Sequence, residues 1–229
     1  MTGVPVAPVP LSPAFRDQAE RGRWVRELFD ATAPHYDTVC AFLAAGSGQA
    51  HRRRALRRAG FVPGMRVLDL ATGTGLVAQA ALDCGAAPRD VVGLDPSQGM
   101  LAVNRERRPL PLVRGQAEAL PFADGSFQLV TMGYALRHVT DLAALFHECR
   151  RVLAPGGRVL VLEIARPKSR LGRAVCGIYL GRVLPWVARL WTRDRKVGGL
   201  VRFYWETIDQ CVAPEVIQGA MREAGFEDV

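Results

Sequence analysis

The residues with the most evident chemistry lie in a glycine-rich turn, Asp69-Leu70-Ala71-Thr72-Gly73-Thr74-Gly75. An apolar run comes directly before this turn, and a helical pattern over Leu76–Cys84 follows it. Glycines adopt positive φ and expose bare backbone, while N–H groups at a helix start face an anion. Ala78 replaces the third glycine of Gly-x-Gly-x-x-Gly, which the dinucleotide pattern allows, and no Gly-Lys-Ser/Thr of a P-loop follows. We therefore predict a nucleotide-like ligand at this turn, in a site that includes Asp69, Gly73 and Gly75. The alternative is that Gly73 and Gly75 only form a tight turn.

A carboxylate, Asp95, ends the next apolar run, 20 residues beyond Gly75. In such folds a carboxylate at this position accepts hydrogen bonds from ribose hydroxyls. The alternative is that Asp95 only caps the helix that begins at Pro96. Two ligands share this arrangement, a nicotinamide dinucleotide and S-adenosylmethionine. The remaining sequence offers neither a substrate domain nor an acid/base for hydride transfer, and Gln116–Phe122 suits an adenine ring, so S-adenosylmethionine is favoured.

The elements that must position these residues alternate between strands and helices, which is typical of βαβ units and a mostly parallel sheet. Strands are predicted at Arg66–Leu70, Val91–Asp95, Leu112–Arg114, Phe127–Met132 and Arg158–Ile164, and helices at Leu76–Cys84, Gln98–Arg107, Asp141–Val152 and Pro214–Ala224. Three further helices, Arg16–Phe29, Thr38–Ala45 and Gln49–Ala59, predict an N-terminal helical cap. The predicted fold is α/β, a Rossmann-like doubly wound sheet with right-handed crossovers and helices on both faces.

Length and composition restrict the class of protein. The chain has 229 residues, 49% of them hydrophobic, which is enough for one domain with its own core. Five cysteines without a Cys-x-x-Cys pair and four scattered histidines disfavour a disulfide framework and a metal site, so a cytoplasmic location is expected. The sequence contains no apolar stretch of about 20 residues, so no membrane span is predicted. The net charge of +8 favours an acidic partner, although the scarcity of lysine among the basic residues also fits a GC-rich genome.

The predicted domain organisation is a flexible N-terminal arm over residues 1–15 and a single domain over 16–229. The arm holds four prolines and no charged side chain, and it lacks the basic start and apolar core of a signal peptide. Within the domain we predict a helical cap over 16–60, a cofactor-binding core over 61–166, a substrate cover over 167–212 and a last helix over 213–229.

Seven segments of the sequence resemble class I S-adenosylmethionine-dependent methyltransferases, and most of all the UbiE/MenG type C-methyltransferases of ubiquinone and menaquinone biosynthesis. They are His35-Tyr36-Asp37, Val67–Gly75, Asp95–Leu101, Gln116–Phe122, Ala135–Asp141, Arg151–Gly157 and Leu162-Glu163. The resemblance implies S-adenosyl-L-methionine as cofactor and a quinone-like aromatic acceptor. The family's final β-hairpin has no counterpart before the chain ends at Val229.

The resemblance also implies roles for individual residues. Cofactor contacts are expected at Thr74, Asp95, Gln116, Ala117 and Gly133. Tyr36 lies in a segment that closes over the cofactor in the family. Pro96 and Met100, which follow Asp95 in a matching segment, complete the predicted cofactor set, and no metal is expected.

Two neighbouring residues, Arg137 and His138, are the predicted catalytic pair. Arg137 falls where the quinone enzymes have an arginine implicated in activating the substrate, and it is expected to stabilise a ring oxyanion or orient a water. His138 is expected to act as general base, because its ordinary pKa lies near working pH. The alternatives are that Arg137 pairs with Asp141, one helical turn on, and that His138 is an ordinary helix-start residue.

The partners and the acceptor leave alternatives open. A natural-product methyltransferase, an RNA methyltransferase and a non-catalytic S-adenosylmethionine-binding subunit compete with the quinone enzyme, although no nucleic acid is expected. The segment Arg170–Lys196 mixes apolar with basic residues, namely Leu171, Val175, Ile178, Leu184 and Trp186 with Arg173, Arg182, Arg189 and Arg193. Such a segment predicts either peripheral contact with an anionic membrane face or a helical lid over a soluble substrate. An uncovered sheet edge would favour a homodimer.

Overall fold

Five parallel strands form the central sheet in a computed structural model that describes residues 7–10, 12–44, 46–167, 169–187 and 195–229. The order across the sheet is β3-β2-β1-β4-β5. The strands are β1 Val67–Leu70, β2 Val91–Asp95, β3 Leu112–Arg114, β4 Phe127–Gly133 and β5 Leu153–Leu162. Because β2 and β4 lie on opposite sides of β1, the strand order reverses there, and a crevice forms beyond the carboxyl ends of these strands.

The helices are α1 Gln18–Thr32, α2 Tyr36–Leu43, α3 Gly48–Arg58, α4 Leu76–Asp83, α5 Gln98–Arg107, α6 Leu142–Val152, α7 Arg170–Ile178, α8 Arg195–Gln210 and α9 Pro214–Glu223. They begin and end close to the predicted positions, except that α7 and α8 lie in the segment predicted only as a substrate cover, where no helix bounds were predicted. The α-helical part of α1 ends at Thr32, and a 3-10 turn over Ala33–His35, which contains Pro34, carries the chain into α2. A π-helical turn, Tyr179–Val183, continues α7.

Both faces of the sheet are covered, because alternate residues of a strand point to opposite faces. On one face Val67 packs in a cluster with Leu56 of α3 and Ala81 of α4. On the other face Leu68 packs in a cluster with Phe146 of α6, and residues of α9 complete it. The doubly wound fold predicted from the sequence is therefore confirmed.

A third cluster lies beyond the carboxyl edge of the sheet and consists of helices α1, α2 and α8. Val39 of α2 and Leu200 and Tyr204 of α8 are buried there, with Phe29 of α1 packed against them. This cluster confirms the predicted N-terminal helical cap. It also shows that α8, from the segment predicted as substrate cover, is packed directly on the cap.

The chain ends differ in part from the prediction. Residues 7–10 of the arm predicted to be flexible are packed, since Val9 is 3% exposed and Val212 N donates to the Pro8 carbonyl at 2.8 Å. In the described part of the chain, β5 pairs with β4 on one side and with no strand on the other. None of the helices described is long and apolar enough to cross a membrane.

Candidate active site

The glycine turn after β1 presents open backbone. Gly73 has φ +56°, and a Cβ added to it would meet nothing within 4 Å. Gly75 has φ +88° and caps α4, and a Cβ there would lie 2.5 Å from the side chain of Asn104. Glycine is therefore required at Gly75 for close packing, whereas at Gly73 it leaves space for a ligand.

Asp69 supports the turn from behind. One oxygen accepts from the Thr72 hydroxyl and the other from the Thr131 hydroxyl, both at 2.7 Å, and the residue is 1% exposed. Burial raises the pKa of this carboxyl to about 6, against the lowering effect of both hydroxyls. Asp69 thus fixes the turn to β4 and does not line the cleft.

Asp95 stands at the end of β2 and faces the cleft. Its two oxygens accept from Gly73 N and Ser97 N, each at 2.8 Å, which joins the glycine turn to the start of α5. Burial raises the pKa of this carboxyl to about 6. A carboxylate has about four acceptor positions, so two remain to accept from the adjacent hydroxyls of a ribose.

The cleft beyond these strand ends has a volume of about 990 Å³, open solvent included. The cap, the glycine turn and the loops after β2, β3 and β4 form its walls. The predicted site residues that line it are Tyr36, Gly73, Asp95, Pro96, Met100, Gln116, Ala117, Gly133 and His138. The predicted site residues outside its lining are Asp69, Thr74, Gly75 and Arg137.

Two carboxylates of the cap bind it to the turns that line the cleft. Neither residue was predicted from the sequence to belong to the site. The Thr74 hydroxyl donates to Asp37 of α2, which also pairs with Arg107 of α5. Asp30 of α1 accepts from the Ser97 hydroxyl at 2.6 Å. Thr74 therefore anchors the cap to the glycine turn instead of lining the cleft. The segment His35-Tyr36-Asp37 was the only signal for this contact in the sequence.

Arg137 is buried beside the cleft, and its guanidinium contacts three side chains. Its Nη1 pairs with Glu163 at 2.5 Å, its Nε donates to the Thr207 hydroxyl at 3.1 Å, and its guanidinium lies 5.2 Å from the centre of the Tyr204 ring. The pairing with Asp141 considered from the sequence is wrong, since Asp141 instead caps α6. Arg137 therefore reaches the cleft only through its neighbour, His138.

His138 lines the cleft with an imidazole that has no hydrogen-bond partner. Its ring is stacked on Phe203 of α8 at 5.3 Å between centroids, and it meets Phe29 of α1 edge-on at 5.4 Å. Both ring nitrogens are buried and unpaired among the described residues. Burial lowers the pKa of His138 well below its ordinary value, and the charges of Arg137 and Arg21 lower it further. His138 closes a 3-10 turn instead of starting a helix, and its imidazole is neutral and buried at the edge of the cleft.

Two residues of the cleft wall have backbone that side chains rarely adopt. Ala71 has φ +48° and Tyr134 has φ +61°, and both line the cleft. Arg52 of α3 is buried, and its guanidinium lies 5.2 Å from the centre of the Tyr134 ring. Strained backbone concentrates at functional sites. Neither residue was singled out from the sequence, because φ depends on tertiary contacts.

The residues of the cleft fit S-adenosylmethionine. Gly73 leaves bare backbone open to the cleft, and Asp95 has lone pairs that no described group uses. Leu94 and Met100 give the cleft apolar walls. These features, together with a doubly wound sheet, define a class I S-adenosylmethionine-dependent methyltransferase.

Comparison with known proteins supports the class and then the family. The chain is similar in fold to a Thermotoga maritima S-adenosylmethionine-dependent methyltransferase, with a TM-score of 0.61 and 23% identity over 88% of this chain and 81% of that one. Phosphoethanolamine N-methyltransferase 2 of Haemonchus contortus, solved with S-adenosyl-L-methionine, gives a TM-score of 0.54 and 25% identity over 78% of this chain and 37% of that one.

The chain belongs to the ubiE/COQ5 methyltransferase family, whose family model matches residues 16–229. It is 42% identical to the demethylmenaquinone methyltransferase of Renibacterium salmoninarum over 72% of this chain and 68% of that protein. It is 33% identical to the ubiquinone/menaquinone biosynthesis C-methyltransferase UbiE of Geobacter sulfurreducens over 91% of this chain and 83% of that protein. The resemblance, the enzyme class and the cofactor predicted from the sequence are thereby confirmed.

Proposed function

We propose that this methyltransferase methylates a ring carbon of a quinone precursor in its reduced, hydroquinone form. The observation that carries the proposal is the neutral imidazole of His138 in the cleft wall, which has no hydrogen-bond partner among the described residues and packs against Phe203 and Phe29. A flat aromatic acceptor with a hydroxyl group matches this wall in shape and in hydrogen bonding. The names of the relatives, demethylmenaquinone methyltransferase and UbiE, support the same acceptor class.

For the cofactor we propose that Gly73, Asp95, Pro96, Met100, Gln116, Ala117 and Gly133 make direct contacts and that Tyr36 covers it. Their common support is a place in the cleft lining. Asp69, Thr74 and Gly75 are proposed to shape the glycine turn from behind, where their contacts lie. We also propose an N-terminal arm over residues 1–15, packed over its residues 7–10, and a single domain over 16–229 with the subdivisions predicted from the sequence.

In the proposed mechanism His138 accepts the proton of a ring hydroxyl, so that the neighbouring ring carbon becomes nucleophilic. S-adenosylmethionine, when bound, supplies a methyl group whose S–CH₃ bond breaks, with its electron pair left on sulfur, as the C–CH₃ bond forms. The ring carbon then loses its own proton to water and the oxygen recovers one from His138, so one proton is released in total. Positioned acid–base groups of this kind contribute about 10²–10⁴-fold in rate.

Arg137 is proposed as a positioning residue and not as a direct contact of the acceptor. Its pairing with Glu163 fixes the 3-10 turn that carries His138. Besides burial, its charge also lowers the pKa of His138, so the imidazole is neutral before the acceptor binds but is a weaker base than a free histidine. This differs from the oxyanion role expected from the sequence, because the guanidinium is engaged elsewhere.

The test combines binding with turnover. We expect calorimetric binding of S-adenosylhomocysteine, followed by labelled-methyl transfer to reduced demethylmenaquinone but not to soluble phenols or RNA. Failure to bind S-adenosylhomocysteine would refute the cofactor site. Transfer to RNA alone, or to soluble phenols in preference to the quinone, would refute the acceptor, and binding without any transfer would support a non-catalytic subunit.

Two partner proposals accompany this function. We propose a cytoplasmic protein that meets an anionic membrane only peripherally, since a quinone precursor with an isoprenoid tail resides in a bilayer. We also propose a homodimer, supported by the outer edge of β5, which no strand covers in the described part of the chain. Light scattering of the purified chain tests the dimer, and a monomer at all concentrations would exclude it.

A further inference from the structure

A row of large apolar side chains faces solvent along α7 and the turn that continues it. The outer face consists of Leu171, Val175, Ile178, Tyr179, Val183 and Trp186. Leu171 is 75% exposed, Val175 56% and Trp186 64%. The spacing of three and four residues places them along one side of a helix. Single exposed apolar residues are ordinary, but a contiguous exposed row marks an interaction site.

The opposite side of the same helix is fixed to the protein, so the exposure of the outer face is not that of a detached segment. Cβ atoms added to Gly177 and Gly181 would lie 3.1 and 3.3 Å from the Trp205 ring of α8, which shows how closely the helices approach. Leu184 is buried in the cap cluster with Val201. The outer face is therefore held in one orientation by α8.

The charges on the segment that carries the outer face are positive. No Asp or Glu occurs between Glu163 and Asp194 in the sequence. Arg170 and Arg182 are exposed, and neither has a carboxylate partner among the described residues. Arg173 is neutralised by Asp209 of α8 in a two-point contact at 2.6 Å. Arg189 and Arg193, which the sequence analysis placed in this segment, lie outside the described residues.

We propose that the outer face docks the protein on an anionic phospholipid bilayer. Aliphatic side chains and a tryptophan on one helix side, flanked by unpaired arginines, are what an interfacial helix requires. The net charge of +8 adds a long-range attraction to the same surface. The inference deepens the peripheral contact proposed above, but it does not depend on the methyl acceptor, because vesicle binding is measured without donor or acceptor.

The location of the face gives the docking a purpose that rests on the proposed function. α8, on which α7 packs, also supplies Phe203 to the stack on His138. The bilayer contact is therefore separated by a single helix, α8, from the part of the cleft wall that contains His138, which we call the acceptor wall. An acceptor dissolved in the bilayer would be taken up close to the surface on which the enzyme sits.

The test is flotation of the full chain with vesicles of phosphatidylcholine alone or mixed with phosphatidylglycerol. Val175→Glu is expected to lower binding to the anionic vesicles at least about tenfold, because an exposed valine expected to enter the bilayer is replaced by a negative charge. The matched control is Val62→Glu, whose valine is 53% exposed on the loop before β1. Unchanged S-adenosylhomocysteine binding and circular dichroism show that both variants are folded.

A second pair of variants tests the charge. Arg170→Gln with Arg182→Gln is expected to weaken binding to anionic vesicles by about tenfold or more and to reduce its salt dependence. Arg54→Gln with Arg57→Gln, two exposed arginines of α3, is the matched control and should change binding far less. Absence of binding to anionic vesicles, or equal losses in test and control variants, would overturn the proposal. Dissociation of a dimer by Val175→Glu without loss of vesicle binding would instead assign the face to a second copy of the chain.

Discussion

Replacement of Asp95 by asparagine tests the hydrogen-bonding role of this carboxylate. Asp95 accepts from Gly73 N and Ser97 N and retains lone pairs toward the cleft. In Asp95→Asn one oxygen becomes an amide NH₂, which cannot accept from either backbone N–H. The variant therefore weakens the contacts expected with the ribose and loosens the glycine turn at the same time.

The magnitude follows from the two hydroxyl contacts that a ribose would make. A hydrogen bond to a charged acceptor contributes about 1.5–3 kcal/mol, against about 0.5–1.5 kcal/mol for a neutral one. Loss of about 1–1.5 kcal/mol at each of two contacts gives about 2–3 kcal/mol. The dissociation constant of S-adenosylhomocysteine should therefore rise roughly 30- to 150-fold.

The same site predicts a pH dependence. Burial raises the pKa of Asp95 to about 6, and the ionised form is the one that accepts from hydroxyl groups. Binding of S-adenosylhomocysteine should therefore be strongest above pH 6 and weaken as the pH falls through about 6, by up to about tenfold per pH unit. In Asp95→Asn this part of the pH dependence should disappear.

Calorimetric titrations at several pH values measure both effects. The control is Asp124→Asn, because the Asp124 side chain is 80% exposed and pairs with Arg151 at the surface. This control should bind S-adenosylhomocysteine as the original chain does. An Asp95→Asn affinity within about threefold of the original at pH 8, with the variant folded, would refute the reasoning, since that change is about 0.6 kcal/mol.

Three further predictions concern the acceptor side and the fold. His138→Gln should lower the rate of methyl transfer about 10²-fold or more while S-adenosylhomocysteine affinity stays the same, and equal turnover would exclude a role as base. Glu163→Gln should lower the free energy of unfolding in urea by about 3–5 kcal/mol, because it leaves the charge of Arg137 buried without its carboxylate. A decrease below about 1 kcal/mol would mean that water or another group compensates that charge. Gly75→Ala should destabilise by about 1–3 kcal/mol through its positive φ and the contact with Asn104, and an unchanged thermal midpoint would contradict this.

The ligand-binding core could be predicted from the sequence because its signals are local. The glycine turn lies between a strand and a helix that are adjacent in the chain, and Asp95 follows one βα unit later. Right-handed crossovers then fix on which face of the sheet each connecting helix lies. Strand positions followed from short apolar runs, although β5 begins at Leu153, five residues before the predicted Arg158.

The acceptor wall could not be predicted to the same degree, because its contacts join distant parts of the chain. Arg137 meets Glu163 from 26 residues away, and the Asp30 carboxylate reaches Ser97 across 67 residues. The ring of His138 stacks on Phe203, which lies in α8, near the end of the segment predicted as substrate cover. Residue types and periodicity do not specify such pairings, and packing alone decides whether an imidazole ends without a partner.

The attachment of the cap by Asp30 and Asp37 has a consequence for how the enzyme would exchange one nucleoside for another. These two side chains join helices α1 and α2 of the cap to the turns after β1 and β2. A ligand that rigidifies these turns therefore also rigidifies the cap, and the coupling is reciprocal. Ligand occupancy should therefore be measurable by limited proteolysis, because cleavage in the first helices would slow when S-adenosylhomocysteine is bound. Removal of the Asp37 contact would speed both this cleavage and the dissociation of the ligand.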